Sequence, residues 1–225
     1  MDQQSKTNDQ KPKLKVCGLT KLDQIEKLIS LKIDYLGFIF YDKSPRYVLN
    51  SLTLEEIKSI DHNGKVGVFV NETIAQILEI SEKAELNFVQ LHGDESDDFI
   101  SELRLKLDKQ IAIIKVFRIG TELEDLKFKI QNSKLEVDYF LFDTDSKSFG
   151  GTGKCFDWQI LNDLEIDKPY FLSGGISEEI VKNITLLKQK PFALDINSKF
   201  EIEPGNKNID KIKEFKKLLN LSVEK

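Results

Sequence analysis

Two side chains that can exchange protons each end a short apolar run in this sequence. Cys17 closes the segment LKVC, and Asp143 closes LFD. A thiol can act as a general base when positive charge lowers its pKa, and Arg46 or the N-terminus of the first helix are candidates for that charge. A desolvated carboxyl group holds its proton closer to neutral pH and can act as an acid. Alone, a cysteine more commonly packs in a core and an aspartate more commonly forms an ion pair. Together, the two residues indicate acid–base chemistry.

Polar residues also follow other apolar runs of the chain. They are Arg46, Asn71, His92, Arg118 and Asp195. His92, in QLHG, can contact a substrate or be a satisfied structural histidine. His62 lies in the polar turn DHNG, and we expect it to be inert. Neither the two histidines nor the two cysteines have the close spacing that a zinc site requires, so we predict no metal site.

Two segments near the end of the chain are candidates for binding an anion. One contains Gly174 and Gly175, and the other contains Asn197 and Ser198. Backbone N–H groups beside glycine, together with a helix N-terminus, bind phosphate. A glycine pair alone is more often a tight turn, but the loops after the seventh and eighth strands of a barrel commonly bind phosphate.

A glycine-rich stretch, FGGTGK at residues 149–154, follows the run that ends at Asp143. It lacks the glycine spacing of a P-loop. We interpret it as a lid over a substrate, in which Gly151 and Gly153 provide flexibility and Lys154 faces an anionic group. The adjacent Cys155 is given no role.

Eight short apolar runs must position these residues, and segments with helical periodicity separate them. The predicted strands are Leu14–Cys17, Tyr35–Phe40, Lys65–Val70, Phe88–Leu91, Ile111–Val116, Tyr139–Phe142, Tyr170–Leu172 and Phe192–Ile196. They lack strict alternation, as parallel strands covered on both faces should. Alternating strands and helices allow an open doubly wound sheet or a closed barrel. Eight near-equal units favour a single-domain (β/α)8 TIM barrel, whose active site lies at the C-terminal ends of the strands.

Three helix starts are predicted from residues that commonly cap helices. Thr20 with Asp23 has a capping-box pattern, and Asn71 and Ser177 each precede an apolar stripe. The cap at Ser177 would place a helix N-terminus directly behind Gly174 and Gly175.

Composition limits the classes of protein to which the chain can belong. Hydrophobic residues are 40% and charged residues 32% of the 225 residues, and the formal net charge is -5. These values fit a soluble, cytoplasmic protein with a small-molecule partner and argue against a nucleic-acid or membrane partner. Residues 1–12 are polar throughout, so we expect a disordered tail without a secretory signal, followed by one domain over residues 13–225. A monomer and a homodimer are both compatible with the sequence.

A series of motifs resembles the phosphoribosylanthranilate isomerase family, and they occur in the family's order from about residue 13 to 217. They are KVCGLT, GFIF with SPRYV, VGVFVN, VQLHGDE, LFDT, GGTGKCFDW, LSGGI and ALDINSKFE with a later PG. The resemblance implies an Amadori rearrangement of N-(5'-phosphoribosyl)anthranilate to 1-(2-carboxyphenylamino)-1-deoxyribulose 5-phosphate in tryptophan biosynthesis. It needs no cofactor, because the protonated imine is itself the electron sink.

The resemblance also implies a role for each matching residue. Cys17 corresponds to the general base and Asp143 to the general acid, in agreement with the reasoning from residue types. Arg46 corresponds to the arginine that meets the anthranilate carboxylate. His92 and Asp195 correspond to residues of the sugar pocket. The phosphate loops are matched by Gly174, Gly175, Asn197 and Ser198. The loop that closes over the substrate is matched by Gly151, Gly153 and Lys154.

Two positions depart from the family's pattern. Lys199 stands where a glycine is expected, and its ammonium offers an additional phosphate contact. PG is followed by Asn206, Lys207 and Asn208, where the family usually has an acidic residue, so the capping of that loop is expected to differ.

Two other readings remain open from the sequence alone. One is another phosphate-binding barrel enzyme, such as indole-glycerol-phosphate synthase or the histidine-pathway isomerase. The other is a non-catalytic barrel that binds sugar phosphates.

Overall fold

The computed structural model describes residues 11–120, 127, 130, 136–144 and 157–221. Within them, eight parallel strands pair in sequence order, and β8 pairs with β1 to close a barrel. The barrel strands are β1 (Lys13–Val16), β2 (Tyr35–Ile39), β3 (Lys65–Phe69), β4 (Phe88–Leu91), β5 (Ala112–Ile119), β6 (Tyr139–Thr144), β7 (Tyr170–Leu172) and β8 (Ala193–Ile196). The predicted (β/α)8 barrel is therefore confirmed.

Helices cover the outside of the barrel. The α-helices among the described residues are α1 (Leu22–Ser30), α2 (Leu54–Ser59), α3 (Ile74–Lys83), α4 (Asp97–Lys106) and α5 (Ile209–Leu221). Short 3-10 helices are Val48–Asn50, Trp158–Asp163, Val181–Leu186 and Ser198–Phe200. A small hairpin, β9 (Glu201–Glu203) with β10 (Asn206–Lys207), follows β8. The predicted tail falls almost wholly on residues 1–10, which lie outside the described residues.

Side chains alternate between the two faces of each strand, as the two-residue period of a strand requires. On β1, Leu14 and Val16 face the helices in the large outer core, whereas Cys17 belongs to the apolar cluster inside the barrel. The same parity directs Lys15 inward, where it lies opposite Asp195 of β8. A strand's register thus decides which residues reach the barrel interior.

Aromatic rings fill the N-terminal end of the barrel. Tyr35, Phe88, Tyr139, Phe171 and Phe192 make edge or tilted contacts, with centroids 5.2 Å apart for Tyr35 and Phe88 and 5.0 Å for Tyr139 and Phe192. Such pairs stabilise a core beyond the area that they bury. This apolar plug leaves the C-terminal end as the polar end of the barrel.

The three predicted helix caps are wrong. Thr20 donates its hydroxyl to the Gly205 carbonyl at 2.8 Å, and α1 begins after Lys21 without a side-chain cap. Asn71 has a φ of 51° and accepts from the Asp94 N–H at 2.7 Å, so Thr73 caps α3 instead. For Thr20 and Asn71, a hydrogen bond to a residue distant in sequence engages the side chain that the local pattern had assigned to a helix cap.

The segment after β7 also differs from the prediction. Ser177 does not begin an α-helix: its carbonyl accepts from the Val181 N–H at 3.1 Å, and a 3-10 helix follows at Val181–Leu186. Gly174 and Gly175 are therefore not backed directly by a helix N-terminus. Any phosphate contact at this turn must rely on the local N–H groups.

Candidate active site

Cys17 lies at the C-terminal end of the barrel, just beyond β1. Its N–H donates to the Ile196 carbonyl at 2.9 Å, which ties it to β8. The side chain is only 5% exposed. Gly37 of β2 is packed so closely that a Cβ there would lie 2.9 Å from the Cys17 sulfur. The thiol is therefore held by backbone on two sides.

Lys15 lies beneath Cys17 on the same face of β1 and is fully buried. Its ammonium donates to Asp195 Oδ2 at 2.7 Å and to Gln90 Oε1 at 2.9 Å, and it lies within hydrogen-bonding reach of the Cys17 sulfur. Burial alone would lower the pKa of Lys15, but Asp195 and then Cys17 outweigh burial and raise it. Lys15 is therefore a fixed positive charge in the barrel mouth.

Burial raises the pKa of the Cys17 thiol above its ordinary value. Lys15 and Lys207 oppose this shift, whereas Asp195 adds to it. Arg46, one of the two sources of positive charge expected from the sequence, is not among the principal influences on this pKa. The opposing charge comes chiefly from two buried lysines, Lys15 and Lys207.

Asp143 faces the same mouth from β6. Its Oδ1 accepts from the Thr144 N–H at 2.8 Å, and its carboxylate also accepts a hydrogen bond from the Ser173 side chain. Burial nevertheless raises the pKa of Asp143, since it outweighs these two hydrogen bonds. The direction of this shift is the one that an acid needs.

His92 connects Asp143 to the interior of the barrel. Its Nε2 lies 3.6 Å from Asp143 Oδ2, and its Nδ1 lies 3.2 Å from Gln90 Nε2. Burial, aided by Lys15, lowers the pKa of His92 to about 4, so the ring is neutral at neutral pH. His62, by contrast, forms hydrogen bonds with backbone groups, the Ile33 carbonyl at 2.9 Å and the Gly64 N–H at 3.0 Å.

Arg46 forms a buried ion pair that the sequence did not suggest. Its Nη2 donates to Glu201 Oε2 at 2.7 Å, and its Nε lies 3.0 Å from both Glu201 oxygens. Lys207 Nζ donates to the same carboxylate at 2.6 Å and to Asn197 Oδ1 at 2.7 Å. Two cations thus share one carboxylate, and this group of three carries a net positive charge beside Gly18.

The predicted phosphate residues lie at the ends of β7 and β8. Gly174 and Gly175 have φ values of 87° and 68°, in the left-handed region that favours glycine. A Cβ at Gly174 would lie 2.3 Å from Thr144 Oγ1 and 3.1 Å from Asp143 Oδ1. The turn is therefore packed directly against the candidate acid. Ser198 begins a 3-10 helix, and the adjacent Lys199 is exposed.

Several predicted residues cannot be compared with the structure. Gly151, Gly153 and Lys154 of the lid, and Cys155 beside them, lie outside the described residues. Within the part of the chain that is described, no group of three potential ligands could hold a metal ion. None of the described helices is long and apolar enough to cross a membrane.

Sequence reasoning missed four residues of this site: Lys15, Gln90, Glu201 and Lys207. Lys15 and Gln90 left a usable signal, because a polar side chain within an apolar strand is costly unless a partner satisfies it. Glu201 and Lys207 lie in the hairpin after β8, where no local pattern indicates a distant arginine.

The family model and the curated relatives point to one family. The family model for N-(5'phosphoribosyl)anthranilate isomerase matches residues 14–217. An N-(5'-phosphoribosyl)anthranilate isomerase of Parabacteroides distasonis is 40% identical over 215 residues, which cover 94% of this chain and 95% of that protein.

Two solved structures of isomerases have a similar fold. The phosphoribosyl anthranilate isomerase of Thermotoga maritima is 32% identical with a TM-score of 0.76, covering 93% of this chain and 98% of that chain. A second isomerase structure, in complex with reduced 1-(o-carboxyphenylamino)-1-deoxyribulose 5-phosphate, is 30% identical with a TM-score of 0.72 and covers the same shares.

Proposed function

The chain belongs to the N-(5'-phosphoribosyl)anthranilate isomerase family, and from that premise we propose that Cys17 is its general base and Asp143 its general acid. The protein converts N-(5'-phosphoribosyl)anthranilate to 1-(2-carboxyphenylamino)-1-deoxyribulose 5-phosphate, a step of tryptophan biosynthesis. Family membership decides against the other two barrel enzymes considered from the sequence. It also decides against a barrel that only binds sugar phosphates.

In the proposed reaction, Asp143 and Cys17 each transfer one proton, and a tautomerisation of the enolamine completes the rearrangement. Asp143 protonates the ring oxygen as the bond from C1' to that oxygen breaks, which gives a protonated imine at C1'. The Cys17 thiolate then removes the C2' proton, and the electron pair of that bond moves through C1' to the nitrogen to form an enolamine. Loss of the proton on the C2' hydroxyl and addition of a proton at C1' give the ketone.

The observation that carries this proposal is the polar path across the barrel mouth between the two residues. Lys15 lies beneath Cys17 and hydrogen-bonds Gln90; Gln90 contacts His92, which faces Asp143. Around this path and Asp195, inward side chains of the barrel form an apolar cluster. Acid and base thus face one mouth, as a reaction at adjacent sugar carbons requires.

The net positive charge of Arg46, Glu201 and Lys207 supports a carboxylate site. A buried group with one excess cation favours an anion, and a guanidinium offers directed N–H donors to it. We therefore assign the anthranilate carboxylate to Arg46. Glu201 holds the guanidinium in place from the opposite side.

The remaining substrate contacts follow from the loops around the mouth. Asp195 Oδ1 is buried without a hydrogen-bond partner among the described residues, so it can accept from a sugar hydroxyl. We assign His92 to the same sugar pocket. We assign the phosphate to Gly174, Gly175, Asn197 and Ser198, with Lys199 within the same loop. Gly151, Gly153 and Lys154 complete the proposal as the closing loop.

The proposal is tested by substitutions that remove each proton-transfer group and change the shape of the site as little as possible. We expect Cys17→Ala and Asp143→Asn each to lower kcat by about 100- to 10,000-fold, the usual contribution of a positioned acid or base. Turnover is measured as the fall in fluorescence of the anthranilate adduct. Cys155→Ser is the matched control for the other thiol and should keep full turnover. Full activity in either Cys17→Ala or Asp143→Asn would refute that residue's role.

A further inference from the structure

Four side chains form a polar path with one direction: Lys15 and Gln90, then Gln90 and His92, are in hydrogen-bonding contact, and His92 faces Asp143 at 3.6 Å. We infer that Gln90 is a positioning residue, which holds His92 as the tautomer protonated on Nε2 and directs that N–H toward Asp143. The inference rests on the proposed role of Asp143 as the acid.

The direction begins at Lys15, because an ammonium group donates hydrogen bonds and cannot accept them. The Gln90 atom that lies 2.9 Å from Lys15 Nζ must therefore be the amide oxygen. The amide nitrogen is then left to face the histidine ring, 3.2 Å from His92 Nδ1. Gln90 is only 1% exposed, so water does not compete for either end of the amide.

The orientation of Gln90 determines where the imidazole proton lies. An amide nitrogen only donates, so His92 Nδ1 must be the bare, accepting nitrogen. The lowered pKa of His92 leaves one proton on the ring at neutral pH. That proton is consequently on Nε2, the atom that lies 3.6 Å from Asp143 Oδ2.

An N–H directed at Asp143 helps it to act as an acid. Oδ1 already accepts from the Thr144 N–H at 2.8 Å, and Oδ2 faces the ring. When the proton leaves for the ring oxygen of the sugar, the new carboxylate gains charge that the His92 N–H can stabilise. A contact of 3.6 Å in the free enzyme is of the length that shortens in a substrate complex. The tautomer with a bare Nε2 would instead repel the carboxylate.

Two variants at Gln90 separate this role from simple packing. Gln90→Leu removes both hydrogen bonds of the amide. Gln90→Glu keeps the length, and beside the Lys15 ammonium its side chain is a carboxylate that can only accept, so His92 Nδ1 carries a proton in this contact. We expect kcat to fall by roughly 10- to 100-fold in both, the weight of one hydrogen bond to a charged group, with a smaller change in KM.

The decisive measurement is the 15N chemical shift of the two histidine rings in the full-length protein. In the unaltered protein we expect both rings to show a protonated Nε2 and a bare Nδ1. His62 is the internal reference, since the Gly64 N–H fixes its Nδ1 as an acceptor and the Ile33 carbonyl fixes its Nε2 as a donor. In the variant His62→Gln the signals of His62 disappear, so the signals that remain belong to His92. In Gln90→Glu, only His92 Nδ1 should move to the protonated position.

Three results would overturn the inference. They are a protonated Nδ1 on His92 in the unaltered protein, an unchanged His92 signal in Gln90→Glu, or unchanged kcat in both Gln90 variants while Asp143→Asn is inactive. A purely structural glutamine would lower the melting temperature and leave the tautomer unchanged. If Asp143→Asn is itself fully active, the proposed acid is wrong, whatever tautomer His92 adopts.

Discussion

At the scale of single residues, the thiol of Cys17 is subject to opposing influences. Burial raises its pKa, while Lys15 and Lys207 stabilise the thiolate that the reaction needs. Lys15 donates hydrogen bonds to Gln90 and Asp195 and stabilises the Cys17 thiolate. These interactions account for a fully buried lysine inside the barrel. A buried cation is costly unless it is paired, and here its carboxylate partner lies 2.7 Å away.

The thiol's reactivity should follow pH in a defined direction. We expect the alkylation rate of Cys17 in a Cys155→Ser background to keep rising above pH 8.5, the pKa of an ordinary free thiol, because burial raises the pKa of Cys17. Lys15→Met removes the ammonium that favours the thiolate, so the pH–rate curve should shift further upward. The measurement is the rate of iodoacetamide labelling against pH.

Lys65→Met is the matched control for loss of a buried lysine. Lys65 is 4% exposed, but its ammonium donates to the Ile57 and Lys58 carbonyls of α2. The labelling curve should therefore stay in place in this variant. A curve that is also unmoved in Lys15→Met would contradict the assigned effect of Lys15.

At the scale of elements, caps form where no distant partner competes for the side chain. Thr53 and Glu56 make a complete capping box at the start of α2, and Ser96 caps α4. Thr20 matches a capping pattern equally well, yet it bonds Gly205, 185 residues away. At the start of α5, Asn208 Oδ1 accepts from the Lys211 N–H at 3.0 Å, so a neutral amide caps this helix.

The spacing between β1 and β2 should control catalysis without any change of a reacting group. In Gly37→Ala the new Cβ would lie 2.9 Å from the Cys17 sulfur and Cα, and must displace them. We expect turnover per folded molecule to fall by up to about 100-fold, since small misplacements of reacting groups are costly. Overpacking should also lower the free energy of unfolding by about 1–3 kcal/mol. Steady-state kinetics and urea unfolding measure the two effects.

Gly67→Ala is the control on the outer face of β3. Its Cβ would meet Leu86 Cδ1 at 2.4 Å and the Phe69 ring, away from Cys17. It should lose comparable stability and retain turnover per folded molecule. Equal losses of turnover in the two variants would show that general destabilisation, and not displacement of Cys17, is responsible.

At the scale of the whole molecule, we propose that residues 13–225 fold as one domain. Barrel closure between β8 and β1 joins the two ends of the chain, and the Lys13 N–H donates to the Phe192 carbonyl at 2.9 Å. The C-terminal helix α5 continues the outer core through Phe215, which contacts the Phe200 ring with centroids 4.9 Å apart. Elements from both ends therefore share one core.

Removing this contact should destabilise the entire protein. We expect Phe215→Ala to lower the free energy of unfolding by about 3–5 kcal/mol, the usual cost of deleting a buried aromatic ring. Scanning calorimetry should show one transition that moves as a whole. Ile202→Ala, at a site 72% exposed on the nearby hairpin, should change stability by less than about 0.5 kcal/mol. Two separate transitions in Phe215→Ala would contradict a single domain.

The sequence by itself determined the barrel and the identity of the candidate acid and base. Strand positions follow from runs of apolar residues, and Phe88–Leu91 and Tyr170–Leu172 match the prediction to the residue. Periodicity and motif order are local properties, so they can be read along the chain. The parity of β1 puts Cys17 on the same face as Lys15, but only the structure shows that this face is the inner one.

Only the tertiary structure decided which partners surround those residues. Arg46 meets Glu201 across 155 residues of chain, and Lys15 meets Gln90 and Asp195 across 75 and 180. The positive charge near Cys17 came from lysines that no spacing rule connects to it. Closure of the barrel brings the ends of eight strands, distant in sequence, to one mouth. A hydrogen bond there depends on atomic positions to within a fraction of an ångström. Local sequence patterns do not specify positions so closely.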